Sequence, residues 1–90
     1  MRGLFSRRNS MGETVVLRGM AIGDTLKAHR YLDGRKVHRM HSLQGGTFVV
    51  EERIVTSLKR KGYIESNMKF PAATYLLTGR GRQLAAQLDS

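Results

Sequence analysis

The sequence predicts a small α+β domain of about three helices and a two- to three-stranded antiparallel sheet, forming a single unit over residues 13–90. Three observations carry this expectation. The run from Glu51 to Lys61 has apolar residues at helical spacing and closes on Gly62. Thr74-Tyr75-Leu76-Leu77 reads as a compact strand, with Thr78 behind it to cap a closing helix. Gly45-Gly46, followed by Thr47-Phe48-Val49-Val50, reads as a hairpin turn and its returning strand.

Composition narrows the classes of function. Ninety residues make one compact core but leave little interior for a deep catalytic cleft. There is no cysteine, so neither a disulfide framework nor a zinc–thiolate site can form, which fits a cytoplasmic protein. The apolar runs are far shorter than the roughly 20 residues of a membrane helix, so no membrane partner is expected. Sixteen Lys and Arg stand against seven Asp and Glu, a formal net charge of +9, and the isoelectric point is near 10.9. Such an excess concentrates polyanions around a protein, and the surplus of arginine over lysine suits phosphate forks.

Along the chain, residues 1–12 open with MRGLFSRRNS, carrying Arg2, Arg7 and Arg8, and are expected to form a disordered basic arm. Thr14-Val15-Val16-Leu17-Arg18 is β-branched and fits either a short strand or the lead-in to a helix. A first helix is expected at about residues 21–33. Asp24 or Thr25 would cap it, Ile22, Leu26 and His29 or Arg30 would form its stripe, and Asp33-Gly34 would end it. Residues 34–50 favour a hairpin, since Val37, Arg39 and His41 alternate with His38, Met40 and Ser42. The rival is a short helix near residues 40–45, with Gly45-Gly46 as the turn of a helix-turn-helix. The next helix has Glu51 and Glu52 in its first turn, Lys59, Arg60 and Lys61 in its last, and Ile54, Val55 and Leu58 along its apolar face. Ile64 begins a strand that pairs antiparallel with Tyr75–Leu77 around a loop at 66–72. The closing helix carries Leu84, Ala85 and Leu88 inward, and Gly79 and Gly81 weaken its first turn.

The stretches LKRKGYIES and YLLTGRGRQLA resemble the C-terminal half of winged helix-turn-helix proteins. In that family a basic helix ends in Leu-x-x-x-Gly-[aromatic or Leu]-Ile, and the second wing strand ends in Tyr-x-Leu-Thr-x-x-Gly-Arg. Leu58, Gly62, Tyr63 and Ile64 match the first pattern, and Tyr75, Leu77, Thr78, Gly81 and Arg82 the second. The resemblance covers residues 51–88, and residues 34–50 depart from the family pattern. It implies a duplex-DNA-binding transcriptional regulator, with one helix in the major groove and a wing on the flanking backbone. The exposed positions of that helix would be Arg53, Thr56, Ser57, Lys59 and Arg60. Arg53 would suit guanine, Thr56 and Ser57 bases or phosphates, and Lys69 would touch phosphate from the wing tip. Glu51 and Glu52 oppose this docking; if they prevail, the positive surface becomes Arg35, Lys36, Arg39, Arg80 and Arg82. A domain of this kind gains affinity as a homodimer, with Leu84 and Leu88 as the seam.

Other chemistry finds little support. His38-x-x-His41 would place its rings on opposite faces of a strand, so a shared metal is not expected. GRGR at 79–82 lacks the glycine spacing of a nucleotide loop and reads as a helix start with two exposed arginines. No catalytic constellation can be assembled, so neither an enzyme nor a cofactor is expected. Met20, Met40 and Met68 are expected in or near the core, as are Phe48, Phe70 and Tyr75, although Phe70 in the wing loop could instead seat a base or a protein. Two other readings of the charge are an RNA- or ribosome-associated protein, and an adaptor or inhibitor that docks an acidic protein on a winged-helix scaffold.

Overall fold

The computed structural model of the protein describes residues 11–67 and 72–88. Three helices lie on one face of a five-stranded antiparallel sheet. The elements follow the order α1 (Met11–Ala21), β1 (Thr25–Arg30), β2 (Lys36–His41), β3 (Thr47–Val50), α2 (Glu52–Arg60), β4 (Ile64–Ser66), β5 (Ala72–Leu77) and α3 (Gly79–Leu88). The sheet runs β3-β2-β1-β5-β4, so β1 is its centre, pairing β2 on one side and β5 on the other. The α+β class and the number of helices agree with the sequence, and the strand count exceeds it.

The excess has a definite origin. The helix expected at 21–33 is absent, and β1 and its turn occupy that segment. The error lies at Gly23, which ends a helix where one was expected to begin. Its φ of 113° is left-handed. Its N–H donates to the carbonyl of Met20 at 3.1 Å and that of Asp24 to Gly19 at 2.9 Å. This double bond pattern closes a helix C-terminus. The helix it closes is α1, so Thr14–Arg18 is helical. Glu13, Val16, Leu17 and Met20 are all buried, a stripe at spacings of three and four that holds the helix to the sheet. In β1 the working pattern is alternation: Leu26 and Ala28 point into the core, Lys27 and His29 away from it. Ile22, expected on an inner stripe, is exposed, and Asp33-Gly34 forms the β1–β2 turn.

Residues 36–50 adopt the expected hairpin and not the rival helix. His41 pairs Thr47 across Gly45 and Gly46, whose φ values of 98° and 85° only glycine adopts readily. Asp24 caps no helix; its carboxylate accepts the N–H of Leu43 at 3.0 Å and ties this hairpin to the α1–β1 connection. α2 stands where expected, with Ile54, Val55 and Leu58 buried. Gly62, at φ 81°, ends it with the same pattern as α1: its N–H reaches Lys59 and that of Tyr63 reaches Leu58, both at 3.0 Å. β4 and β5 pair antiparallel, Ile64 opposite Leu77 and Ser66 opposite Tyr75.

The core joins Val16, Leu17 and Met20 of α1, Ile54, Val55 and Leu58 of α2, and Leu26, Met40, Val50, Ile64 and Tyr75 of the sheet. Met20, Met40 and Tyr75 are thus core residues as expected. Phe48 is not: it is 46% exposed on β3, an edge strand with nothing beyond it in the sheet. Met68 and Phe70 lie outside the described residues, as do residues 1–10 of the expected basic arm. Among the described residues no helix is long and apolar enough to cross a membrane.

Candidate nucleic-acid interface

α2 turns its buried residues to the sheet and leaves Arg53, Thr56, Ser57 and Arg60 along the opposite side. Their spacings of three, four and seven place them on one stripe. With Glu52 they line a shallow groove of about 450 Å³. Arg53 makes a 2.9 Å ion pair with Glu51, both side chains largely in solvent. Such a pair is worth little, so Arg53 can leave it for another anion at small cost.

The positive charge gathers at the trailing end of this helix. Lys59 and Arg60 occupy its last turn, and Lys61 follows. Arg80, from the first turn of α3, passes beside Gly62 and stands 5.7 Å from the Tyr63 ring. Lys61 is committed to Glu13, 3.0 Å away. Lys59 leans back toward the sheet, its ammonium 5.8 Å from the Tyr75 ring. The leading end holds Glu51 and Glu52, so the helix surface is polarised along its length.

The β4–β5 ribbon flanks α2. Asn67 closes its described part, exchanging bonds with Thr74: its N–H donates to the Thr74 carbonyl at 2.9 Å and its side-chain oxygen accepts the Thr74 N–H at 3.1 Å. Lys69, expected at the wing tip, lies outside the described residues.

The other predicted cations do not form one surface. Arg35 and Lys36 lie at the β1–β2 turn, where Arg35 pairs with Asp33 at 2.9 Å and stands 5.7 Å from the Tyr31 ring. Arg39 lies on the uncovered face of the sheet and donates to the Tyr31 hydroxyl at 2.9 Å. Arg80 and Arg82 sit on the first turn of α3. The sequence reading missed the residues that share the uncovered face with Arg39, namely Lys27, His29, Tyr31 and His41. A Lys27–Arg39 pairing becomes visible only once the register of β1 on β2 is known.

The first turn of α3 is spent within the protein. Thr78 accepts the Gly81 N–H at 3.0 Å through its side-chain oxygen and the Arg82 N–H at 2.9 Å through its carbonyl. A side chain at Gly81 would collide with the Tyr63 carbonyl. Leu84 and Leu88, expected as a dimer seam, pack against the core.

His38 and His41 lie on opposite faces, as the alternation of a strand requires. His38 is 3% exposed, beneath the helices, with Nε2 3.4 Å from the Tyr75 hydroxyl. Burial depresses its pKa below the usual 6.5; Lys36 and Lys59 push the same way and Glu52 opposes them. Burial, seconded by Glu52, raises that of Tyr75, which keeps the phenol protonated. The described residues hold no group of three potential metal ligands. Comparison with protein-family models, curated proteins and solved structures gives no match.

Proposed function

We propose that this protein binds duplex DNA through α2 and the β4–β5 ribbon, as a transcriptional regulator on a winged-helix-like frame. The observation that carries the proposal is the solvent-facing stripe Arg53–Thr56–Ser57–Arg60, with Arg80 beside its trailing end. An α-helix with its side chains is about 10–12 Å across, which matches the roughly 12 Å width of a B-DNA major groove. The nine residues of α2 extend about 13 Å along it. Acids at the leading end and cations at the trailing end favour an approach in which Arg60 and Arg80 meet phosphate while Thr56 and Ser57 reach base edges. The helix is preceded by a β-hairpin, so β3 and the Glu51 junction set its angle of entry, where a helix-turn-helix would use a second helix.

The test is fluorescence anisotropy with a random-sequence duplex and a structured RNA of equal length, titrated over several salt concentrations. DNA binding is expected to weaken with salt at a slope of about 0.9 per phosphate contact. Preference for the RNA at matched salt would move the protein to the RNA-associated class. Absence of binding to either polymer at physiological salt would assign its charge to a protein partner.

A further inference from the structure

The uncovered face of the sheet is a second basic surface, remote from the solvent-facing stripe of α2. Lys27 of β1 stands directly opposite Arg39 of β2, with Thr74 of β5 and Val49 of β3 flanking them in the same row. Like charges opposed across strands destabilise a sheet, and an anion lying over both relieves that repulsion. His29, Tyr31, Val37 and His41 join them around a cleft of about 350 Å³. Neither β1 nor β2 contains an acid. The nearby Asp33 is paired with Arg35, and Glu65 stands on β4, the far edge strand. Tyr31 is held in place: Arg39 donates to its hydroxyl, the His29 ring meets it edge-to-face at 4.9 Å, and Arg35 stands over it.

We propose that this face binds single-stranded nucleic acid, with Lys27 and Arg39 on successive phosphates and the planar groups of His29, Tyr31 and Arg35 as the stacking surface. Five strands at about 4.8 Å spacing span about 19 Å, too wide for a groove of roughly 12 Å. An undistorted duplex therefore meets this face through its phosphates, and base edges reach a sheet this wide only if the duplex is bent open. An extended single strand needs no such distortion, and it offers its bases to rings and guanidinium planes. The proposal goes beyond the duplex reading and does not depend on it, since the residues and the face differ.

The experiment uses the full chain, a labelled oligothymidylate and a random-sequence duplex of equal length. Lys27→Gln with Arg39→Gln is expected to weaken oligothymidylate binding about tenfold or more and to leave duplex binding within about twofold. Arg53→Gln with Arg60→Gln is expected to do the reverse. Lys27→Gln alone, which leaves the Arg39–Tyr31 bond intact, should weaken oligothymidylate binding by about threefold, and thermal melting checks that each variant is folded. The proposal is overturned if wild-type protein does not bind oligothymidylate at physiological salt, or if the Lys27/Arg39 variant binds it as wild type does. It is equally overturned if both double variants weaken both ligands alike, which would mean undirected charge. Oligothymidylate binding without duplex binding would sink the α2 reading and leave this one standing.

Discussion

The Thr78 hydroxyl donates to the Gly62 carbonyl at 2.6 Å. The same oxygen accepts the Gly81 N–H at 3.0 Å, and the Thr78 N–H donates to the Tyr63 carbonyl at 3.0 Å. One residue thus joins the end of α2, the start of β4 and the start of α3. Thr78→Val keeps the shape and removes the hydroxyl, losing the cap and leaving the Gly62 carbonyl without this donor. We expect it to lower the free energy of unfolding by about 1–3 kcal/mol, read from urea titration. Thr78→Ser retains the hydroxyl and should stay within about 1 kcal/mol of wild type. Equal loss in both would mean that the methyl group matters as much as the hydroxyl, and an unchanged Thr78→Val would refute the cap.

The two glycines of GRGR should respond in opposite directions. Gly79 has open space around it and no left-handed φ, so Gly79→Ala is expected to stabilise by about 0.4–1 kcal/mol by restricting the unfolded chain. At Gly81 a methyl group meets the Tyr63 carbonyl and crowds Leu77. Gly81→Ala should cost more than about 1 kcal/mol, because α3 must move away from β4. Thermal melts of the two variants decide it, and a stabilised Gly81→Ala would refute this account of the packing.

His38 predicts an acid-sensitive fold. Its folded pKa lies below the unfolded value of 6.5, so between the two the unfolded chain binds more protons. Stability is then full above pH 6.5, falls as the pH drops below it, and levels off under the folded pKa. The slope is at most about 1.4 kcal/mol per pH unit for this one proton. Lys36 from β2 and Lys59 from α2 add to the effect of burial, and Glu52 from α2 opposes it. His38→Gln should flatten the wild-type profile over that range in urea titrations at stepped pH. An unchanged slope would place the titrating group elsewhere.

How much of this was legible follows from what each signal depends on. α2, its exit through Gly62 and Tyr63, and the β4–β5–α3 unit rest on contacts close in sequence, and caps and glycines announced them. The α1–β1 region was misread because both readings fit locally. Val15 and Val16 suggested a strand, and Leu26 happened to lie four residues beyond Ile22. The stripe of Glu13, Val16, Leu17 and Met20 is buried because α1 packs on the sheet, which the β-branched run alone does not show. What makes β1 a strand is pairing on both sides, with β2 and with β5 more than forty residues away, and no local window contains that. The stripe on α2 was legible for the same reason as the helix itself. The Lys27–Arg39 pair and the burial of His38 depend on register and on helix packing, so they were not.

The polarity of α2 yields the sharpest test of the duplex reading. Glu52 lines the same groove as Arg53 and Arg60, at the end of the helix that must approach a phosphate chain if the stripe lies along a groove. Removing its charge by Glu52→Gln should raise affinity for duplex DNA by about three- to tenfold at low salt, and the gain should shrink as salt screens the repulsion. The substitution also removes an acid from the helix's first turn, so a stability loss of about 0.3–1 kcal/mol is expected alongside the tighter binding. Destabilisation and tighter binding in one variant mark a residue that serves the fold at the expense of the interface. Anisotropy against duplex at two salt concentrations, with a urea titration beside it, separates the two effects. If Glu52→Gln leaves duplex affinity unchanged at low salt, the leading end of α2 does not face the phosphate backbone.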